Sequence, residues 1–355
     1  MSGAAGSASK GPPRVAVIGV GGFGRHHARI YGELTAAGEA TLVGLVDLDP
    51  AKGRELAEKF KVPLVRRIED LPGPIDAVTI AVPTVHHVRA AKPLLERGIH
   101  CLVEKPIAAS SAEARELVEA AKRGGAVLQV GHVERFNPVM TAVEKLGIKP
   151  VFLEVHRLAP YTFRSSDVGV VMDLMIHDLD IVLHLVGEEP TTVDAVGVPV
   201  IGTKEDIANV RLGFPSGCVA NVTASRVSIN KMRKIRVFSP DAYVSLDYDK
   251  KQALLVRKSP RLTAAELARA AGGGADLTAL AGADFGDLLS TDMLPIDDAE
   301  PLKEEIRSFL SAASGKGLPR VAGEEGAKAL ALAERILAAI ASRPLPPRTE
   351  PPPRA

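Results

Sequence analysis

Apolar and polar positions follow two different rhythms along this chain, and the rhythm changes near residue 131. Before that point, short continuous apolar runs at Val15–Ile18, Leu42–Val46, Ile75–Ala81, His100–Val103 and Val127–Val130 read as strands buried on both faces. Between them, residues 23–36, 51–60, 85–97 and 111–123 keep apolar side chains at three- and four-residue spacing, the signature of amphipathic helices. Strand and helix in alternation predict a doubly wound parallel sheet of the Rossmann type.

After 131 the pattern predicts a helix over 138–145, a strand over 152–156 and a helix around 172–185. Strand-like segments then follow one another at 192–198, 208–213, 218–225, 234–239, 242–247 and 253–257, with no helix between them. Such a run predicts an α+β domain with a largely antiparallel sheet, covered by helices on one face and open on the other. Val219, Asn221, Thr223 and Ser225 would line the open face and invite a second copy, as a homodimer or homotetramer. Residues 262–294, with Gly272-Gly273-Gly274, read as a pliable excursion outside the core. Residues 300–313 and 323–341 regain helical spacing, and the second stretch is long enough to return to the first domain. The expected organisation is a tail at 1–12, a dinucleotide domain at 13–131, a second domain at 132–343 and a Pro-rich tail at 344–355.

The first strand runs directly into Gly19-Val20-Gly21-Gly22-Phe23-Gly24, and strand, glycine turn and helix in that order suit a pyrophosphate at the helix N-terminus. Gly19 would allow the tight turn, Gly21 the approach of the pyrophosphate and Gly24 the packing of helix on strand. Asp47, at the end of the second strand, can accept from the adenosine ribose hydroxyls and would repel a 2′-phosphate, which favours NAD over NADP. The competing reading makes Asp47 and Asp49, ahead of Pro50, caps of the next helix and leaves Arg54, Arg66 and Arg67 for a phosphate. Pro83, Thr84, Glu104 and Lys105 follow later strands and should border the same cofactor. Farther on, Asp173 and His177 stand four residues apart on a predicted helix, so a carboxylate can orient an imidazole toward a ligand.

Composition narrows the partners. With 355 residues and 46% hydrophobic content there is material for two cores. Basic and acidic residues number 44 and 43, only 4% of residues are aromatic and Trp is absent, which argues against nucleic acid. Cys101 and Cys218 suit two buried thiols in a reducing, cytoplasmic setting, and no metal cluster is expected. The best late apolar stretch, 327–342, carries Lys328, Glu334 and Arg335, so no membrane span is expected.

From Val15 to Ala341 the chain resembles the glucose–fructose oxidoreductase, inositol dehydrogenase and rhizopine-catabolism family, Gfo/Idh/MocA. The resemblance rests on the glycine turn, Pro83-Thr84-Val85-His86-His87, Glu104-Lys105-Pro106, Arg135-Phe136-Asn137-Pro138 and the Asp173/His177 pair. It implies that Gly22 and Phe23 also touch the cofactor, that a cis peptide precedes Pro106, and that Lys105 sits beside nicotinamide and substrate hydroxyl. Asp173 and His177 would then approach from the second domain. Oxidising a carbinol requires a base for the hydroxyl proton as hydride departs. His177 is the favoured base, with Lys105 bonding the developing carbonyl oxygen and Asp173 orienting the pair; the reverse, with Lys105 as base, stays open.

The segment Gly131–Pro138, together with 173–177, further resembles the branch that oxidises nucleotide-linked amino sugars, UDP-N-acetylglucosamine at C3 foremost. That branch supplies 3-keto sugars to an aminotransferase for lipid A or surface glycans. Met175 stands where the wider family most often has glycine and would narrow a small-polyol pocket. Arg135, Asn137, Arg157, Tyr161 and Arg164, with Asp173 and His177, are the expected substrate contacts; His156, Arg157, Tyr161 and Arg164 are the candidates for the diphosphate and uracil, the arginines suiting bidentate phosphate recognition. Alternatives are a myo-inositol or free polyol dehydrogenase, an NAD-dependent glycosidase and a non-catalytic sugar sensor.

Overall fold

A computed structural model describes residues 11–162, 168–258 and 289–343. The expected tails lie outside these, apart from Gly11 and Pro12, as do Arg164 and residues 262–288 of the expected excursion. The chain divides into two compact units, Met1–Asn137 with Ala299–Glu334, and Pro138–Asp298 with Arg335–Ala355.

The first unit is built on a parallel sheet of β1 (Arg14–Ile18), β2 (Thr41–Val46), β3 (Leu64–Val65), β4 (Ala77–Ile80), β5 (His100–Glu104) and β6 (Leu128–Gly131), in the order β3-β2-β1-β4-β5-β6. Central residues such as Val15, Val17, Val78, Ile80, Leu102 and Val103 are closed to solvent, as continuous apolar runs require. Ile18 pairs in register with Val46 and Ile80, Ile80 with Val103, and Glu104 with Gly131. The strands therefore end nearly level, and the loops after them share one edge. Around the sheet run α1 (Gly24–Ala36), α2 (Arg54–Phe60), α3 (His87–Glu96) and α4 (Ser111–Gly124). The Ser110 hydroxyl caps α4 by accepting from the Glu113 amide, and Gly125 ends it in the left-handed region.

Two late helices complete this unit. From α7 (Pro301–Ala313), Leu302, Ile306, Phe309 and Leu310 join the core formed by α1, β1 and β2. The last helix, α8 (Gly323–Ala341), belongs to the first unit as far as Glu334, whose carboxylate accepts the Ser111 amide at 2.9 Å.

In the second unit β7 (Phe152–Leu158), β8 (Thr192–Val198), β9 (Ile207–Gly213), β10 (Val219–Ser225), β11 (Met232–Phe238), β12 (Ala242–Asp247), β13 (Gln252–Lys258) and β14 (Leu289–Met293) form a sheet ordered β14-β13-β12-β11-β7-β10-β9-β8. Only the β7/β10 pair is parallel; the other neighbours run antiparallel. Side chains alternate as a half-covered sheet demands: Leu153, Val155, Ala220, Val222 and Ala224 are buried, while Glu154, His156, Asn221 and Thr223 keep solvent access. The covering helices are α5 (Pro138–Glu144), against β12 and β13, and α6 (Ile176–Val186), against β7 and β10.

Two sequence expectations change here. Ser225 is buried rather than on the open face. Leu289–Met293, assigned to the excursion, is an edge strand paired with β13, a pairing its polar sequence does not advertise. Cys101 and Cys218 are buried free thiols. Among the described residues no helix is long and apolar enough to cross a membrane.

Candidate active site

The glycine turn sits on the level edge of the parallel sheet, between β1 and α1. Gly19 has φ +85°, and a Cβ there would lie 2.7 Å from the Ala81 carbonyl oxygen. A Cβ on Gly24 would overlap the Gly19 carbonyl, so both positions need glycine for the turn itself. Gly21 differs: a Cβ would meet only the Lys52 side chain, at 3.5 Å. The chain does not demand glycine there, whereas a pyrophosphate lying close to the backbone would. α1 has Phe23 as its N-cap, with no capping side chain and no acidic residue in its first turn, leaving an electropositive end for an anion. Asp47 accepts the Val20 amide on Oδ2 and the Asp49 amide on Oδ1, both at 2.9 Å. It braces the turn, and a carboxylate has further lone pairs for ribose hydroxyls. It does not cap the next helix, which starts only at Arg54 after Asp49 has taken the Ala51 amide. These residues fit a dinucleotide.

Pro83 and Thr84 open a 3-10 turn, Thr84–His86, after β4. Glu104 ends β5, and Lys105, half-buried, precedes a cis Lys105-Pro106 peptide. His87, kept out of the expected site, joins these two loops. Its Nε2 lies 2.9 Å from the Val82 carbonyl and its Nδ1 3.0 Å from that of Pro106. Burial pushes its pKa below the ordinary histidine value, against the opposing pull of the Val82 and Ile107 carbonyls, the Glu104 charge and the Pro106 carbonyl. The signal was its place in the loop Pro83-Thr84-Val85-His86-His87 behind a strand.

Arg135 and Asn137, expected to touch substrate, are buried in the first unit. Arg135 donates from Nη2 to the Arg320 carbonyl at 3.3 Å and faces Glu325, while Asn137 donates to Glu134 at 3.4 Å. Both polar groups hold the turn Val133–Phe136 in place.

In the second unit, Asp173 and His177 share one helical segment. Val171–Met175 forms a π turn that runs straight into α6, and both side chains are half-buried. Single π turns inside helices recur at functional sites, because the widened backbone re-aims side chains. Acidic residues hold the start of this segment. Glu205 accepts the Val170 amide on its carbonyl at 2.9 Å and the Val171 amide on Oε1 at 3.2 Å. Neighbouring Asp206 accepts from the Val200, Ile201 and Gly202 amides and from Arg226 Nε, and Arg226 Nη1 donates to the Val168 carbonyl. Burial pushes the Asp206 pKa up, but the Ile201 and Gly202 amides, the Arg226 guanidinium and the Val200 amide bring it down to about 2.

The middle of the segment is tied to the sheet. Arg157 Nε and Nη2 donate to Asp178 Oδ2 and Oδ1 at 2.7 and 2.8 Å, and both side chains are buried. Arg157, expected at a diphosphate, is thus a bidentate partner of the helix, a role the β7 alternation foreshadows by pointing it inward. Met175 is buried. Tyr161 lies half-buried beyond β7, and Arg164 is outside the described residues.

Comparison with known proteins identifies the family and the fold. The oxidoreductase-family NAD-binding Rossmann fold, GFO/IDH/MocA, matches residues 13–132, and the GFO/IDH/MocA C-terminal domain matches 111–243. UDP-N-acetylglucosamine 3-dehydrogenase of Acidithiobacillus ferrooxidans is 39% identical over 236 residues, 66% of this chain and 74% of the relative. A solved structure of that dehydrogenase superposes with TM-score 0.80 at 32% identity, covering 93% of this chain and 98% of that one. The scyllo-inositol 2-dehydrogenase (NAD(+)) of Bacillus subtilis is 33% identical over 238 residues, 61% of this chain and 68% of the relative.

Proposed function

Because the chain belongs to the GFO/IDH/MocA oxidoreductases, NAD-dependent dehydrogenases of sugar hydroxyls, we propose that it oxidises UDP-N-acetylglucosamine at C3 to the 3-keto nucleotide sugar. The observation that carries the substrate is the 39% identity to the Acidithiobacillus ferrooxidans 3-dehydrogenase. NAD, when bound, accepts the hydride. The chain's own part is then acid–base work and positioning. His177 takes the C3 hydroxyl proton as the C–H bond breaks, Asp173 orients the imidazole, and Lys105 donates a hydrogen bond to the oxygen that becomes the carbonyl. Gly21, the uncapped start of α1 and Asp47 hold the dinucleotide. Pro83 and Thr84 border it.

A 3-ketone is a substrate for transamination, so an aminotransferase supplying 3-amino sugars for lipid A or surface glycans is the proposed consumer. The open face of the second sheet, where Asn221 and Thr223 keep solvent access, is the surface proposed to pair with a second copy in a homo-oligomer. A monomeric mass by light scattering at micromolar concentration contradicts that assembly. The 33% identity to the scyllo-inositol enzyme supports a second reading, a free polyol dehydrogenase. NADH formation with UDP-N-acetylglucosamine and with myo-inositol in parallel separates them. The first reading predicts turnover of the nucleotide sugar, lost in Lys105→Ala and His177→Ala.

A further inference from the structure

One buried carboxyl of the first unit has no hydrogen-bond partner among the described residues. Glu305 lies on the buried face of α7 with Leu302, Ile306 and Phe309, is fully closed to solvent, and neither of its oxygens has a hydrogen-bond partner. An oxygen of Glu305, one of Glu104 and a ring nitrogen of His27 all lie within 4.8 Å of one another. Glu104 is itself engaged: His27 Nε2 is 2.8 Å from its Oε1, and the Lys105 amide donates to Oε2 at 3.2 Å. A Cβ on Gly131 would lie 2.9 Å from the Glu104 carboxyl carbon, so Glu104 is pressed onto β6.

Among the described residues no cationic side chain bonds the Glu305 carboxyl. From α1 come His27 and Tyr31, whose hydroxyl pairs with Thr79. From β6, Gln129 donates to the Glu305 carbonyl rather than its carboxyl. On the turn packed against α7, Arg135 bonds the Arg320 carbonyl and faces Glu325, and Glu134 accepts from Asn137. An ionised carboxylate buried beside another carboxylate and unpaired is far costlier than the neutral acid. Burial, and then the Glu104 charge, push the Glu305 pKa well above the usual carboxylate range.

We propose that only one of the two neighbouring carboxyls is ionised, Glu104, while Glu305 keeps its proton, and that the neutral Glu305 is a positioning residue for the Glu104-Lys105-Pro106 turn. One negative charge then remains, on Glu104, where the His27 ring and the Lys105 amide meet it. The protonation of Glu305 stands on its burial, its unpartnered oxygens and the nearby Glu104 carboxylate; its kinetic consequence rests on the proposed role of Lys105.

Glu305→Gln preserves size and neutrality and is the test. A carboxyl whose folded pKa exceeds its unfolded value gives stability that is complete below about pH 4.3 and is lost as pH rises toward the folded pKa. The wild-type melting temperature should therefore fall relative to that of Glu305→Gln as pH rises, the two converging below about pH 4. The wild type should also show a carboxylic-acid C=O infrared band at neutral pH that Glu305→Gln lacks, with no bound metal in either. Glu305→Leu serves for the infrared difference if the Gln variant does not fold. Parallel melting curves with no band difference overturn the proposal, as does about one zinc or manganese per wild-type chain that is lost in the variant. Kinetically, ionisation of Glu305 at high pH should lower wild-type kcat, a fall that Glu305→Gln should lack while keeping kcat at neutral pH within about threefold. If the wild type turns over neither sugar, the melting and infrared readouts still decide the protonation.

Discussion

Arg157 and Asp178 form a two-bond pair between β7 and α6, at 2.7 and 2.8 Å, with both side chains at most 5% exposed. A diphosphate ligand needs a guanidinium it can reach, and this one is committed to a helix. Removing one partner strands a buried charge, so Arg157→Ala should cost roughly 3–5 kcal/mol in denaturant unfolding. Replacing both residues with apolar ones of similar volume should cost less. Wild-type stability in Arg157→Ala, with a raised KM for the sugar nucleotide alone, would restore Arg157 to the substrate site.

Glu205 governs the entry to the segment carrying Asp173 and His177. Glu205→Ala leaves the Val171 amide without its carboxylate acceptor and should destabilise by about 1 kcal/mol, the scale of a lost helix cap. Because the carboxylate also fixes where the π turn begins, kcat should fall several-fold while the KM for NAD stays constant. Gly169→Ala should be harsher, since its Cβ would overlap the Glu205 carboxylate. A variant that loses NAD affinity and keeps kcat would contradict this division of labour.

Asp47 braces the glycine turn through the Val20 amide. Hydrogen bonds to a charged group are worth roughly 1.5–3 kcal/mol, so Asp47→Ala should raise the KM for NAD by about tenfold or more. Losing the charge should also narrow the preference over NADP. Steady-state kinetics with both cofactors checks both effects.

The Asp206 pKa, held at about 2, lies below the ordinary carboxylate value. Its contribution is complete above about pH 4 and is lost as the pH falls toward 2. Asp206→Asn should therefore be less stable than wild type at neutral pH, with the gap closing in acid. An unchanged gap from pH 7 to about pH 2 would remove Asp206 from the acid response.

The parallel sheet was legible because its strands are apolar on both faces and its glycine turn is local. Gly19 and Gly24 are fixed by contacts a few residues away or one strand over. Less legible were residues whose partners lie far along the chain. Glu305 interrupts an apolar helix face, a visible anomaly, but its neighbours His27 and Glu104 are about 200 or more residues away in sequence. Arg157 reads as a loop-side cation until the strand alternation turns it inward against Asp178. His87 could be placed near the cofactor loops but not between them, because its acceptors are backbone carbonyls, which carry no sequence mark. β14 was missed for a related reason: its residues are exposed, so pairing rather than apolar patterning defines it.

The most direct measurement uses UDP-N-acetylglucosamine carrying deuterium at C3, with NAD and an aminotransferase that removes the 3-keto product. The account predicts deuterium in the NADH formed and slowed turnover relative to unlabelled substrate. Deuterium retained in the sugar during NADH formation, or NADH formed only with myo-inositol, would contradict it.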